Sequence, residues 1–212
     1  ATELFKDAKE LLQRIFNEKL LKAKAVFGLF PANTINDDDI EVTNNDKQYK
    51  FLTLRQQLKK REGIPNHALA DFIAPKETEI QDYIGAFCVS TGFGAAELAA
   101  QFEADNDDYN SIMIKALADR LAEAFAEYLH KEVRTEYWDY ASQENLSNEE
   151  LIKESYKGIR PAPGYPACPD HLEKKTIWNL LKVKETIGVE LTDSLAMWPA
   201  ASVSGYYFAN EE

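Results

Sequence analysis

Apolar residues recur at three- and four-residue spacing from the first turn of the chain. Leu4, Ala8, Leu11, Leu12, Ile15 and Phe16 predict a helix over about residues 2–21, with Thr2 as its cap. The pattern then tightens into a continuous apolar run at 25–30, which predicts a buried strand. An acidic turn at 36–39 leads into 40–43, and Asn44-Asn45-Asp46 returns the chain through 49–54, so a hairpin is expected there. The charged stretch 55–61 reads as helical. A second apolar run at 83–90 predicts another buried strand, followed by a short helix at 95–103. The longest helix is expected to start at Asp107 or Asp108 and reach about Tyr137. Ser147-Asn148-Glu149-Glu150 has capping-box spacing and opens a further helix. Asp170 is placed as the cap of a helix carrying Leu172, Ile177, Trp178, Leu180 and Leu181, and 195–198 and 202–208 read as late strands. Strands and helices do not alternate regularly. The fold class is therefore α+β, a mainly antiparallel sheet flanked by helices with one long central helix. If the late strands join the early sheet, the long helix and the segment before those strands meet on one surface.

Within the long helix, Ile114, Leu117, Leu121, Phe125 and Tyr128 follow helical spacing and read as the core stripe. Glu123 falls nearly opposite, among Ala116, Asp119, Ala122 and Ala126. Exposed helix faces usually carry long charged side chains, so these alanines suggest that another segment comes close. Two readings of Glu123 stay open: a carboxylate in a crevice, or a solvated residue on an alanine-rich face.

Composition narrows the function classes. The 212 residues carry a net charge of −12 and 45% hydrophobic positions, an ordinary globular mixture with a sizeable core. With no basic stripe to release counterions, a nucleic-acid partner is not expected. No apolar stretch approaches the ~20 residues of a membrane span. Two cysteines, Cys88 and Cys168, suit a reducing cytoplasm. Cys168 and His171 have C-x-x-H spacing, but the chain has three histidines and no second such pair, so no metal site is expected. The 91–96 segment, Thr-Gly-Phe-Gly-Ala-Ala, stops short of a dinucleotide fingerprint. No serine, cysteine or lysine nucleophile stands in a recognisable motif, so no catalytic residue is assigned.

The most informative segment is Arg160-Pro161-Ala162-Pro163-Gly164-Tyr165-Pro166-Ala167-Cys168-Pro169. Four prolines in ten residues forbid a helix and remove four backbone donors, which predicts a stiff, extended ribbon. Such a ribbon can line an elongated polar ligand, with Gly164 giving close backbone approach, or it can serve as a rigid crossing loop.

The run from Gly158 to His171 resembles the signature of the activation domain of cobalamin-dependent methionine synthase. The resemblance extends through Gly28-Leu29-Phe30-Pro31-Ala32-Asn33, 37–42, 69–75, 82–87, 107–110, 116–127, Met197-Trp198-Pro199 and 202–205, in order along nearly the whole chain. It implies a single activation domain over 1–212, truncated at both ends relative to the family. It also implies an S-adenosylmethionine-binding module that supports reductive methylation of cob(II)alamin to methylcobalamin. The cobalamin would be held by a neighbouring corrin-binding domain of the same polypeptide, and the electron supplied by flavodoxin or a flavoprotein reductase. By resemblance, Arg160, Ala162, Gly164 and Tyr165 map onto the cofactor-binding motif and Glu123 onto its helical acidic contact. The chemistry agrees: a guanidinium takes a carboxylate in bidentate geometry, a carboxylate can face a sulfonium, and a tyrosine offers an aromatic wall. The fragment is expected to belong to a methyltransferase without turning over alone. The alternatives are a docking module without ligand binding and a standalone corrinoid-reactivating protein.

Overall fold

The computed structural model describes residues 2–210. Helix α1 spans Thr2–Glu18 and is followed by strands β1 (Lys22–Ile35), β2 (Asp39–Asn44) and β3 (Lys47–Leu52). Strand β4 (Asp82–Phe93) precedes α2 (Ala95–Ala104) and the long α3 (Asp108–Glu132), which continues through a π-helical turn at Val133–Tyr137. Then come α4 (Asn148–Ile152), α5 (Glu173–Leu181), α6 (Val183–Ile187), β5 (Glu190–Leu191), β6 (Met197–Trp198) and β7 (Ser202–Tyr207). Five strands form one sheet in the order β3-β2-β1-β4-β7, and β5 pairs with β6. The late strand β7 thus does join the early sheet, and the α+β, antiparallel expectation holds.

The chain folds as two compact units. The first holds 1–26, 88–129 and 187–203; the second holds 27–87, 130–186 and 204–212. In the first unit, Leu11 and Ile15 of α1 pack with Leu98 and Ala99 of α2 and with Met113 and Ile114 of α3. Asp107 opens α3 by accepting the Asn110 backbone N–H at 3.0 Å, as a cap should. The structure corrects the stripe expected to face the core along α3. Ile114 is buried as expected, but beyond it Ala118, Ala122 and Ala126 are buried, while Leu117, Leu121 and Phe125 are half-buried and Tyr128 is exposed. Small side chains let a neighbouring backbone come close. Ala118 and Ala122 pack with Ala95 and Ala201, and the Thr91 hydroxyl donates to the Ala118 carbonyl at 2.8 Å. Leu117 packs against the Leu11–Ile15 cluster, while Leu121, Phe125 and Tyr128 line an apolar groove of about 640 Å³ with Ile15, Phe16 and Leu21.

In the second unit the hairpin runs in register from Asp39↔Leu52 to Asn44↔Lys47, with Asn45 left-handed at the turn. Ile40, Val42 and Phe51 turn inward, the alternation its sequence predicts. Residues 55–61 are not helical, contrary to expectation. Arg55 forks onto both Asp71 carboxylate oxygens at 2.8 Å and onto the Asn66 carbonyl, and the Gln56 N–H donates to the His67 carbonyl. Leu58 is left 80% exposed, so no apolar face exists to hold a helix down.

Candidate functional site

The proline-rich ribbon is built against β7 in the second unit. Ile159 and Phe208 exchange two backbone hydrogen bonds, Ile159 N–H to Phe208 O at 2.9 Å and the reverse at 3.0 Å. Two residues along, Tyr206 N–H donates to the Pro161 carbonyl at 2.9 Å; proline has no N–H to return a second bond. This is an antiparallel pair, so Arg160 stands opposite Tyr207 at the non-hydrogen-bonded position between them. Gly205 permits the approach, since a Cβ there would collide with the Pro161 carbonyl oxygen. Gly158, at φ 78°, is likewise hemmed in by the Phe208 carbonyl and the Tyr140 hydroxyl.

Beyond Ala162 the ribbon stops being extended, a difference from the sequence expectation. Gly164, at φ 97°, donates its N–H to the Cys168 carbonyl at 2.7 Å, and Cys168 N–H donates to the Tyr165 carbonyl at 2.9 Å. The glycine takes the left-handed conformation that other residues resist, and the His171 ring fills the space a Cβ would need. The prolines therefore stiffen a pair of tight turns rather than a straight strand. The turns push Tyr165 outward, 64% exposed, and draw Cys168 inward. Arg160 and Ala162 are half-buried. Arg160, Ala162, Gly164 and Tyr165 thus lie together on one short segment.

Asp170 accepts the Leu172 N–H at 2.8 Å, ahead of α5, which begins at Glu173 with Leu172 as its cap. Glu173 is buried, and burial lifts its carboxyl from an ordinary 4.5 to about 7. The Leu52 N–H works against that shift, while Asp170 and Asp39 reinforce it. Burial also raises the Cys168 thiol to about 11 and lowers the Lys174 ammonium.

On the Tyr207 side lies a column of rings. Phe87 stacks on Tyr207 at 4.6 Å and Tyr207 on His130 at 5.0 Å, with interplanar angles of 11° and 8°. The edge of Tyr156 meets His130 at 4.9 Å, and the Arg134 guanidinium sits 3.9 Å over the Tyr156 ring. Arg134 is fully buried and forks onto Glu144 at 2.7 and 2.9 Å. Burial, then the charges of Arg134 and Arg160, hold the imidazole neutral by pushing its pKa down to about 2.

Glu123 belongs to the first unit. It is exposed at a crevice of about 240 Å³ lined by Asp119, Arg120, Ala122, Ser202 and Val203. Both readings describe part of it: Glu123 is exposed to solvent, and Ser202 and Val203 approach the alanine face to make the crevice beside it.

A profile of the family described as vitamin B12 dependent methionine synthase, activation domain, matches residues 1–212. The chain belongs to that family. It is also similar to the crystal structure of the MetH reactivation domain bound to AdoHcy, at 57% sequence identity and a TM-score of 0.94. The match covers all of this chain and 66% of that one, so the chain spans about two-thirds of the length of the solved relative.

As a member of the activation-domain family, the chain carries buried ionisable groups that its sequence did not announce. His130 and Arg134 stand four apart near the end of α3, a spacing equally common on a solvated helix face. Glu173 opens a helix, where acidic residues are ordinary. His130 lies against Tyr207 of β7 and the Glu173 carboxyl meets the Leu52 N–H of β3, contacts that no local pattern reports.

Proposed function

We propose that this chain is one activation domain that binds S-adenosylmethionine on its proline-rich ribbon and presents the methyl group for reactivation of cobalamin-dependent methionine synthase. The observation that carries this reading is the anchoring of Arg160 between two residues hydrogen-bonded to β7, with Tyr165 turned outward further along the ribbon. The guanidinium carried on that anchored backbone can receive the ligand's carboxylate in bidentate geometry. The Tyr165 ring supplies a wall for the adenine or the ribose, and backbone carbonyls near Ala162 and Gly164 accept from polar edges. Glu123, in its crevice with Asp119, is the acidic residue that the family resemblance assigns to the cationic end of the ligand.

A reduced corrin held by a neighbouring domain supplies the nucleophile that takes the methyl group. The residues of this chain bind and orient the donor; no side chain here has to move a proton. That fits a ribbon site without a general base. The same reading puts the domain in the cytoplasm, meeting the corrin-binding domain and a flavodoxin-type electron donor by charge complementarity with its acidic surface. Among the described residues no helix is long and apolar enough to cross a membrane.

Calorimetric titration with S-adenosylmethionine tests the reading, with Arg160→Ala as control. Saturable binding is expected, weakened roughly 10- to 100-fold in the variant, the range for losing hydrogen bonds between charged groups. Equal affinity of the two proteins would remove the ribbon from the site.

A further inference from the structure

A second apolar stripe runs along α3, on a side that no helix covers among the described residues. Leu121, Ala124, Phe125 and Tyr128 stand at i, i+3, i+4 and i+7, the spacing of a seam between two helices. The alanine face of α3 is already packed, through Ala118 and Ala122. The second stripe meets Ile15 and Phe16 of α1 across the groove of about 640 Å³, which lies wholly within the first unit. Ala23 of β1 and Thr91 of β4 join the lining, so two helices wall the groove beside the sheet. Phe16 and Tyr128 are each 57% exposed there. Contiguous apolar surface of this kind, rimmed by polar residues, marks a place where another segment settles.

Shape, charge and chain length choose the occupant. A groove between two helices takes the ridge of a third, whereas a flat bilayer cannot enter it. The charged residues in the lining are Lys19 and Lys22, with no carboxylate among them, on a chain whose net charge is −12. A segment with acidic residues beside its apolar side meets these lysines favourably, while the same groove on a second copy brings lysine to lysine. The chain matches 66% of the solved relative, so that protein carries further residues beyond the matched part. A segment tethered to the same polypeptide reaches the groove at high effective concentration, which a free partner does not.

We propose that the groove seats an amphipathic helix with an acidic flank, supplied by the same polypeptide outside residues 1–212. Its apolar side lies on Phe16, Leu121, Phe125 and Tyr128, and its carboxylates meet Lys19 and Lys22. The docked helix turns the stripe from Leu121 to Tyr128 into core, where its sequence period puts it.

Thiol labelling tests this without any ligand. Ala124 is exposed in the lining, so Ala124→Cys places a small reporter in the groove. Cys88 and Cys168 stay silent, being buried with thiols raised to about 12 and about 11. Maleimide labelling of Ala124→Cys is compared between the 212-residue protein and the natural polypeptide that carries it, with Gln57→Cys at an exposed position as control. Labelling in the groove is expected to slow about tenfold or more in the longer polypeptide, and labelling of the control to stay within about twofold. Adding Lys19→Glu and Lys22→Glu to the longer polypeptide is expected to speed groove labelling about two- to fivefold. Equal groove labelling in the two proteins overturns the proposal, as does a rate that the double charge reversal leaves unchanged. Protection of the 212-residue protein that grows with its own concentration assigns the groove to a second copy, and protection by anionic vesicles assigns it to a membrane. Either of those results overturns the proposal too.

Discussion

Replacing Glu173 by glutamine should make the protein more stable at neutral and alkaline pH, and leave it nearly unchanged in acid. The side chain is 4% exposed and its carboxyl is lifted from 4.5 to about 7, chiefly by burial. An unfolded chain releases this proton near 4.5, whereas the folded protein holds it until about 7. Below pH 4.5 both states are protonated and the contribution to stability is complete. Between 4.5 and 7 the unfolded state ionises alone, and stability falls with rising pH; above 7 the loss is full. At about 1.4 kcal/mol per unit the total loss is roughly 3 kcal/mol. Glutamine copies the neutral acid, keeping an acceptor for the Leu52 N–H and removing the titration. His130 slopes the opposite way, because its depressed pKa withdraws stability as pH falls below 6.5. The wild-type profile therefore sums two opposing trends, and the difference between variant and wild type isolates Glu173. Urea denaturation of both proteins from pH 4.5 to 8.5 measures it. The difference should grow by about 2 to 3 kcal/mol across the range. A difference that stays flat would mean that water reaches the carboxylate and that the burial argument is wrong.

Two further outcomes follow from the same packing. Glu144→Gln leaves the fully buried Arg134 with half its partner, and should cost about 3 to 5 kcal/mol in urea unfolding; a loss below about 1 kcal/mol would show the pair to be solvated. Gly205→Ala drives a methyl group into the Pro161 carbonyl and should lower S-adenosylmethionine affinity more than it lowers the melting temperature, measured by calorimetry on the two proteins side by side.

What local pattern encodes, the sequence carried well. The β2–β3 hairpin alternates apolar and polar residues and found its register; the Ser147–Glu150 capping box closed as spaced, with Ser147 N–H donating to the Glu150 carboxylate at 2.8 Å. The extent of the long helix followed from its cap and its period. Its inward face did not, because hydrophobic size was read as burial. Alanine wins the inner side of α3 when backbone approach matters more than area, and Leu121 and Phe125 are left to line a groove. Residues 55–61 carried good helix formers, yet the Arg55–Asp71 fork and the absence of an apolar face overrode propensity. Of the site, the ribbon's composition announced rigidity but not its turns. Those depend on the Gly164–Cys168 bond, made at a left-handed position where the His171 ring leaves no room for a side chain.

The distribution of buried charge points independently to the ribbon. In the described residues, the buried ionisable side chains that are not cysteine or tyrosine are His130, Arg134, Glu173 and Lys174, all in the second unit and flanking residues 158–169 in sequence. The first unit buries polar hydroxyls such as Ser90, Thr91 and Ser111, but no ionisable side chain of that kind among its described residues. Burying an ion pair rarely improves stability over a well-packed apolar cluster, and burying a lone imidazole or carboxyl costs more. Sequences that break the rules of stable packing tend to do so where binding needs fixed polar geometry. Here the breaches flank one short segment in sequence, which is pinned to β7 at Ile159 and Pro161 and turns an aromatic ring outward beyond them. A crossing loop would need the prolines; it would have no use for a buried, neutral histidine stacked on the tyrosine paired with that loop.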